Sequence, residues 1–258
     1  MGQIFADTDA WAGASMVAFA MVAGWLAGRW RGRHLRLELQ AQGKAAVSKF
    51  VDASLAVLGL LLAFTFSTAL SKHDQRRLMV VSDANAIGDF YTCASLLKEP
   101  VRTKLRTVIH DYTSLRVDLA KHRYDETRFE AALIQFRQMH DQMVELVAQA
   151  LENGTPIAVS LTDSLNAVSS SHAARVAAIK DRLPTIIVVL LLLSAASSAM
   201  LVGRGQGVAN EADLAGTVCF ILVVSFIIFA ILDLNQPDRS LITVSQEPIQ
   251  RLLSTMSE

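Results

Sequence analysis

Residues 50–97 read FVDASLAVLGLLLAFTFSTALSKHDQRRLMVVSDANAIGDFYTCASLL. Their first part, Val51 to Leu70, has the length and polarity of a membrane span. The second part is polar and amphipathic, and neither Gly nor Pro stands at the join between Leu70 and Ser71. One continuous helix is therefore expected to leave the bilayer and enter water. A membrane-embedded part and a soluble part would share that helix as a common wall.

Working outward, the 258-residue chain is 52% hydrophobic and only 19% charged, and the apolar residues are concentrated in four blocks. They are Ala10–Gly28, Val51–Leu70, Pro184–Val202 and Leu214–Leu232. Each is close to the roughly twenty residues that a helix needs to cross about 30 Å of hydrocarbon. A formal net charge of zero offers no basic surface to nucleic acid. The first block is not a signal peptide in pattern, because Asp7 and Asp9 precede it and no Lys or Arg does. Trp11, Trp25 and Trp30 lie near its ends, where indoles favour the interface.

The connector RWRGRHLRLELQAQGKAAVSK carries Arg29, Arg31, Arg33, Arg36, Lys44 and Lys49 against Glu38. Such an excess marks the cytoplasmic side, although lipid-phosphate anchoring explains it as well. In the second block, Asp52 either faces protein or water, or snorkels to the interface beside Lys49. Ala56, Gly59, Ala63 and Ser67 make a small-residue stripe, fit for close helix packing or for a wet pore face.

From Ser71 to about Arg182 the pattern is helical throughout. Met79, Ala84, Ile87, Tyr91 and Ala94 continue one face of the long helix. Lys98-Glu99-Pro100 ends it. Apolar residues at three-to-four spacing mark three more helices, stopped by Asn153-Gly154 and reopened at Thr155-Pro156. Arg182-Leu183-Pro184 leads to the third block, GRGQGVANEAD reads as a flexible connector, and Asp233, Pro237 and Arg239 turn the tail at the membrane surface. The fold class is thus an all-α membrane protein. Four transmembrane helices carry a helical-bundle domain inserted between spans two and three, divided as residues 1–71, 72–182 and 183–258.

No catalytic signature accompanies this layout. The Gly203-to-Gly207 run lacks the Lys-Ser/Thr of a phosphate loop, and the six His residues form no metal-ligand spacing. Cys93 and Cys219 lie in regions of opposite character and are not expected to pair. His172 falls on an apolar helix face, as a hydrogen-bonded core histidine. Asp74, Arg76, Arg77, Asp83 and Asp89 mostly suit solvated faces and helix pairs at three or four spacing, and Asn85 with Arg76 and Arg77 is a candidate for bonds between helices or subunits. No cofactor, no metal and no enzymatic activity are expected.

LLLAFTFSTALSKHDQRRLMVVSDANAIGDFY, followed by Leu97-Lys98-Glu99-Pro100, resembles the bestrophin-like family of bacterial membrane proteins. The resemblance is carried by Asp74, Arg76, Arg77, the Ala84-Asn85-Ala86-Ile87-Gly88 run and Pro100. Arg182-Leu183-Pro184 and, near the end, Asp233, Pro237, Arg239, Ser245, Gln246 and Pro248 add to it. It implies a multi-pass protein of the bacterial inner membrane. It also implies a homo-oligomer, a pentamer as in bestrophins proper, that moves inorganic ions through a pore lined by the second span. Matching Leu58-Gly59 to the Leu-Gly of that span puts Asp52, Ala56 and Leu60 on the neck face, with Phe64 and Ser67 further along. A ring of Asp52 carboxylates would favour cations over the anions most bestrophins conduct. Bestrophins keep the helical domain in the cytoplasm, whereas the basic first connector points the other way, so orientation stays open. The alternative function is a membrane-anchored helical sensor or scaffold that binds a partner without conducting.

Overall fold

A computed structural model of the chain describes residues 10–35, 44–121, 126–211, 213–236 and 241–257. Among these it contains eight helices and no strand. They are α1 (Ala10–His34), α2 (Lys44–Ser95), α3 (Val101–Lys121), α4 (Glu126–Glu152), α5 (Ala158–Lys180), α6 (Thr185–Ala209), α7 (Leu214–Asn235) and α8 (Glu247–Met256). Four helical stretches are long and apolar enough to cross a membrane: Ala10–His34, Lys49–Ser95, Ala158–Ala209 and Leu214–Asn235. In the third, the apolar sequence is that of α6, after the break at residues 181–184. The chain divides into two compact units, and α2 contributes to both.

The first unit takes α1, the apolar part of α2, α6 and α7. Met21, Leu58, Leu191, Ile228 and Ile231 form the centre of its core. The contact of α1 with α6 is made by backbone. A methyl group placed on Gly24 would stand 2.7 Å from the Ala196 carbonyl oxygen, and one on Gly28 would collide with the Met200 carbonyl. On the other helix, Gly203 and Gly207 face the carbonyls of Trp25 and Arg29. Glycines at four-residue spacing on both partners let two helices meet at van der Waals distance, where dispersion rather than water release supplies the attraction in lipid. Two sequence expectations change here. The basic connector begins as helix, since α1 runs on to His34, and Gly203 to Gly207 belongs to α6 instead of a flexible link. α6 closes at Asn210, whose left-handed φ of 56° is a common helix stop.

Hydrogen bonds supplement this packing. Trp25 Nε1 donates to Gln206 Oε1 at 3.0 Å, and Gln206 Nε2 donates to Thr217 Oγ1 at 2.9 Å, which ties α1, α6 and α7 together. Ser54 and Ser198 share a 2.8 Å bond between α2 and α6. Asp213 caps α7 by accepting from Gly216 N at 2.8 Å.

The second unit is a bundle of the remaining part of α2 with α3, α4, α5 and α8. Ile87, Phe90 and Ala94 of α2 pack with Leu105, Ile109 and Tyr112 of α3, Phe136 and Met143 of α4, and Leu161 and Val168 of α5. The breaks fall where the sequence places them. α3 begins one residue after Pro100, and Gly154 sits at φ 69° after α4. Glu99 accepts from Arg102 Nε at 2.8 Å and from Thr103 N at 3.3 Å at the entry to α3. The end of the chain is helical too: α8 buries Ile249 against Val80, Ala84 and Val117.

Candidate functional site

Along α2, the residues buried in the first unit are Leu58, Leu62, Thr65 and Ala69. At 100° per residue these share one face, and Asp52, Ala56, Leu60, Phe64 and Ser67 lie about half a turn away. All five are exposed, Leu60 to 56% and Phe64 to 65%. Among the described residues, the other helices leave this face uncovered. It is apolar except for the carboxylate near its start and the hydroxyl near its end.

The sequence-motif residues disperse. Asp74, Arg77 and Asn85 are exposed, as is Asp89. Gly88 is half-buried, with the Leu252 side chain 3.3 Å from where a Cβ would stand. Arg76, a candidate for a solvated face or for a bond between helices, is buried at 5% exposure. Its Nε donates to Ala178 O at 3.1 Å and its Nη2 to Asp181 O at 3.0 Å, so it serves the carbonyls that end α5. Asp233 is buried and accepts from Leu241 N at 2.9 Å and Ile242 N at 3.1 Å, which folds the chain back after α7. Pro237 and Arg239 lie outside the described residues.

Asp83 departs furthest from expectation. It is fully buried, at the centre of an ionic cluster. Arg175 Nη1 donates to its Oδ2 at 2.9 Å, Ser171 Oγ to its Oδ1 at 3.0 Å, and Arg116 Nε stands 3.5 Å from Oδ2. Arg175 Nη2 continues to Gln246 Oε1 at 2.7 Å, from the segment ahead of α8. Arg116 Nη2 donates to Tyr112 Oη at 2.8 Å and to His172 Nδ1 at 2.6 Å, and its guanidinium lies 4.6 Å above the Phe136 ring. A guanidinium can only donate, so Nδ1 accepts and the His172 ring carries its proton on Nε2. Burial, then the neighbouring Arg116, lowers the His172 pKa to about 4. Burial raises that of Tyr112. Both are therefore uncharged near neutrality, and His172 is the hydrogen-bonded histidine its helix position predicts.

A signal for this cluster exists in the sequence. Asp83 is four residues from both Met79 and Ile87, Arg116 follows Tyr112 by four, and Arg175 follows His172 by three. Each charge thus falls on an apolar stripe. One acid and two bases on three such stripes identify partners, which composition does not. Among the described residues no group of three or more His, Cys, Asp or Glu could hold a metal ion, and Cys93 and Cys219 are unpaired thiols.

Comparison with curated proteins and with solved structures returns no match. A family model of the bestrophin-like domain matches residues 14–249, which takes in most of α1, the other three apolar helices, the α2 motif and the ionic cluster. The chain belongs to the bestrophin-like family.

Proposed function

We propose that this protein is the subunit of a homo-oligomeric ion channel of the bacterial inner membrane, with α2 lining the path. Residues 1–71 and 183–258 hold the spans, and residues 72–182, completed by α8 from the tail, form an extramembrane helical domain between spans two and three. The observation that carries this reading is the uncovered face of α2 in a chain of the bestrophin-like family. One helix cannot enclose a pore, so copies must supply the other walls, and a pentamer is the assembly this family resemblance favours. Asp52 stands near an entrance, Leu60 and Phe64 narrow the path, and Ser67 keeps its far end polar. A ring of carboxylates selects cations. The protein is no enzyme on this reading.

Ion flux in liposomes under opposed salt gradients tests it. The expected reversal potential follows the monovalent cation, and Asp52→Asn moves it toward the chloride potential. A potential that Asp52→Asn leaves unchanged removes Asp52 from the mechanism. A stable monomer in detergent overturns the pore itself and leaves a membrane-anchored scaffold.

A further inference from the structure

The second unit contains a cavity of about 350 Å³ beside the ionic cluster. Arg116 and Arg175 line it, together with Arg76, Arg128 and the apolar Phe129, Leu133 and Ile179. None of the described lining residues is acidic. Two guanidiniums about nine-tenths or more buried meet a single carboxylate, Asp83, and their remaining partners Tyr112, His172 and Gln246 are neutral, as is Ser171, which donates to Asp83. The cluster therefore holds one surplus positive charge away from water, an arrangement that is unfavourable until an anion joins it. Arg116 Nε is buried with no hydrogen-bond acceptor of its own, 3.5 Å being too long for one to Asp83. The space far exceeds what one inorganic ion fills, given that a water takes about 30 Å³ of liquid, and its apolar wall gains nothing from a hydrated ion. Volume, charge and wall together match the pattern of a small-molecule pocket, apolar with a few convergent polar groups.

We propose that this cavity binds a small organic acid, with its carboxylate on Arg116 and Arg175 and its apolar body against Phe129, Leu133 and Ile179. A carboxylate suits the planar fork of a guanidinium, and water exclusion strengthens the pair. The proposal is independent of conduction and survives or fails on binding alone.

Calorimetric titration of the full-length protein in lipid nanodiscs tests it, with benzoate and hexanoate as probes and benzyl alcohol and inorganic phosphate as controls. The expected result is saturable binding of at least one acid, with no comparable binding of the alcohol or of phosphate. Arg175→Met leaves Asp83 and Arg116 matched one to one and should weaken the acid about tenfold or more, the worth of a charge-assisted hydrogen bond. Leu133→Trp, which takes up space in the cavity and changes no charge, should abolish binding; it carries the test alone if Arg175→Met does not fold. Alcohol or phosphate binding as tightly as the acids overturns the proposal. So does an absence of heat with both acids, or acid binding that survives Leu133→Trp.

Discussion

The two units solve the problem of packing helices in opposite ways. In the first, α1 and α6 come into backbone contact at Gly24, Gly28, Gly203 and Gly207, where no side chain intervenes. In the second, Phe90, Leu105, Ile109, Phe136 and Met143 fill the space between helices, and the charges that enter the core, Asp83, Arg116 and Arg175, do so in contact with one another. The difference matches the proposed function, in which the first unit lies in hydrocarbon and the second in water. Hydrocarbon gives no reward for hiding apolar area, so close backbone contact must supply the attraction. Water rewards burial by about 25 cal/mol per Å², so large side chains are worth having. The first unit is consequently sensitive to added volume, and the second to lost volume or unmatched charge.

Asp83→Ala should be the most damaging change. It strands two buried guanidiniums, and breaking a buried ion group costs roughly 3–5 kcal/mol. Hydrogen exchange at residues 86–94 should accelerate, while tryptophan emission should hold steady, because Trp11, Trp25 and Trp30 all belong to α1. If the tryptophans respond equally, the two units do not differ in the way described.

Gly28→Val makes the converse test. A side chain there meets the Met200 carbonyl, which cannot step aside without moving α6. Overpacking of this kind costs about 1–3 kcal/mol. A shift in tryptophan emission with unchanged exchange at residues 86–94 is expected.

A smaller effect belongs to pH. The folded-state pKa of His172, about 4, lies below its ordinary 6.5, so the unfolded chain takes up the proton first. The stability owed to neutral His172 is complete above pH 6.5 and declines as pH falls from 6.5 toward 4. His172→Gln should flatten that slope in urea titrations of the second unit; an unchanged slope assigns it to other groups. The smallest effect is expected for Gly88→Ala. Its new methyl meets only the flexible end of Leu252, and alanine favours helix over glycine by about 0.5–1 kcal/mol. Near-neutral stability, read by the same titration, would contrast with Gly28→Val.

Much of this architecture is legible in the sequence. The four apolar blocks, the unbroken passage from Leu70 to Ser71 and the stops at Pro100 and Gly154 all follow from local chemistry, and local chemistry governs helix ends. What escapes depends on the partner. Gly203-Arg204-Gly205-Gln206-Gly207 reads as a loop because glycine loosens a helix in water, whereas against a second glycine-bearing helix the same residues permit contact. Asp83 reads as a surface residue because a lone aspartate usually is one. Only its position relative to Arg116 and Arg175, 33 and 92 residues away, makes it a core residue. The face of Asp52, Ala56, Leu60, Phe64 and Ser67 follows from the family resemblance and has no local pattern of its own.

The packing of α8 also has a consequence for the order of synthesis. Ile249 and Met256 are core residues of the bundle, and Tyr91 Oη bonds the Met256 carbonyl at 3.3 Å. A ribosome delivers these residues only after both α6 and α7 have been made. The bundle begun by α2 must therefore wait with an open seam through most of translation, and it closes only on a chain whose last two spans already exist. A truncated product would carry exposed Val80, Ala84 and Val117, the kind of greasy defect by which quality-control proteases recognise an unfinished chain.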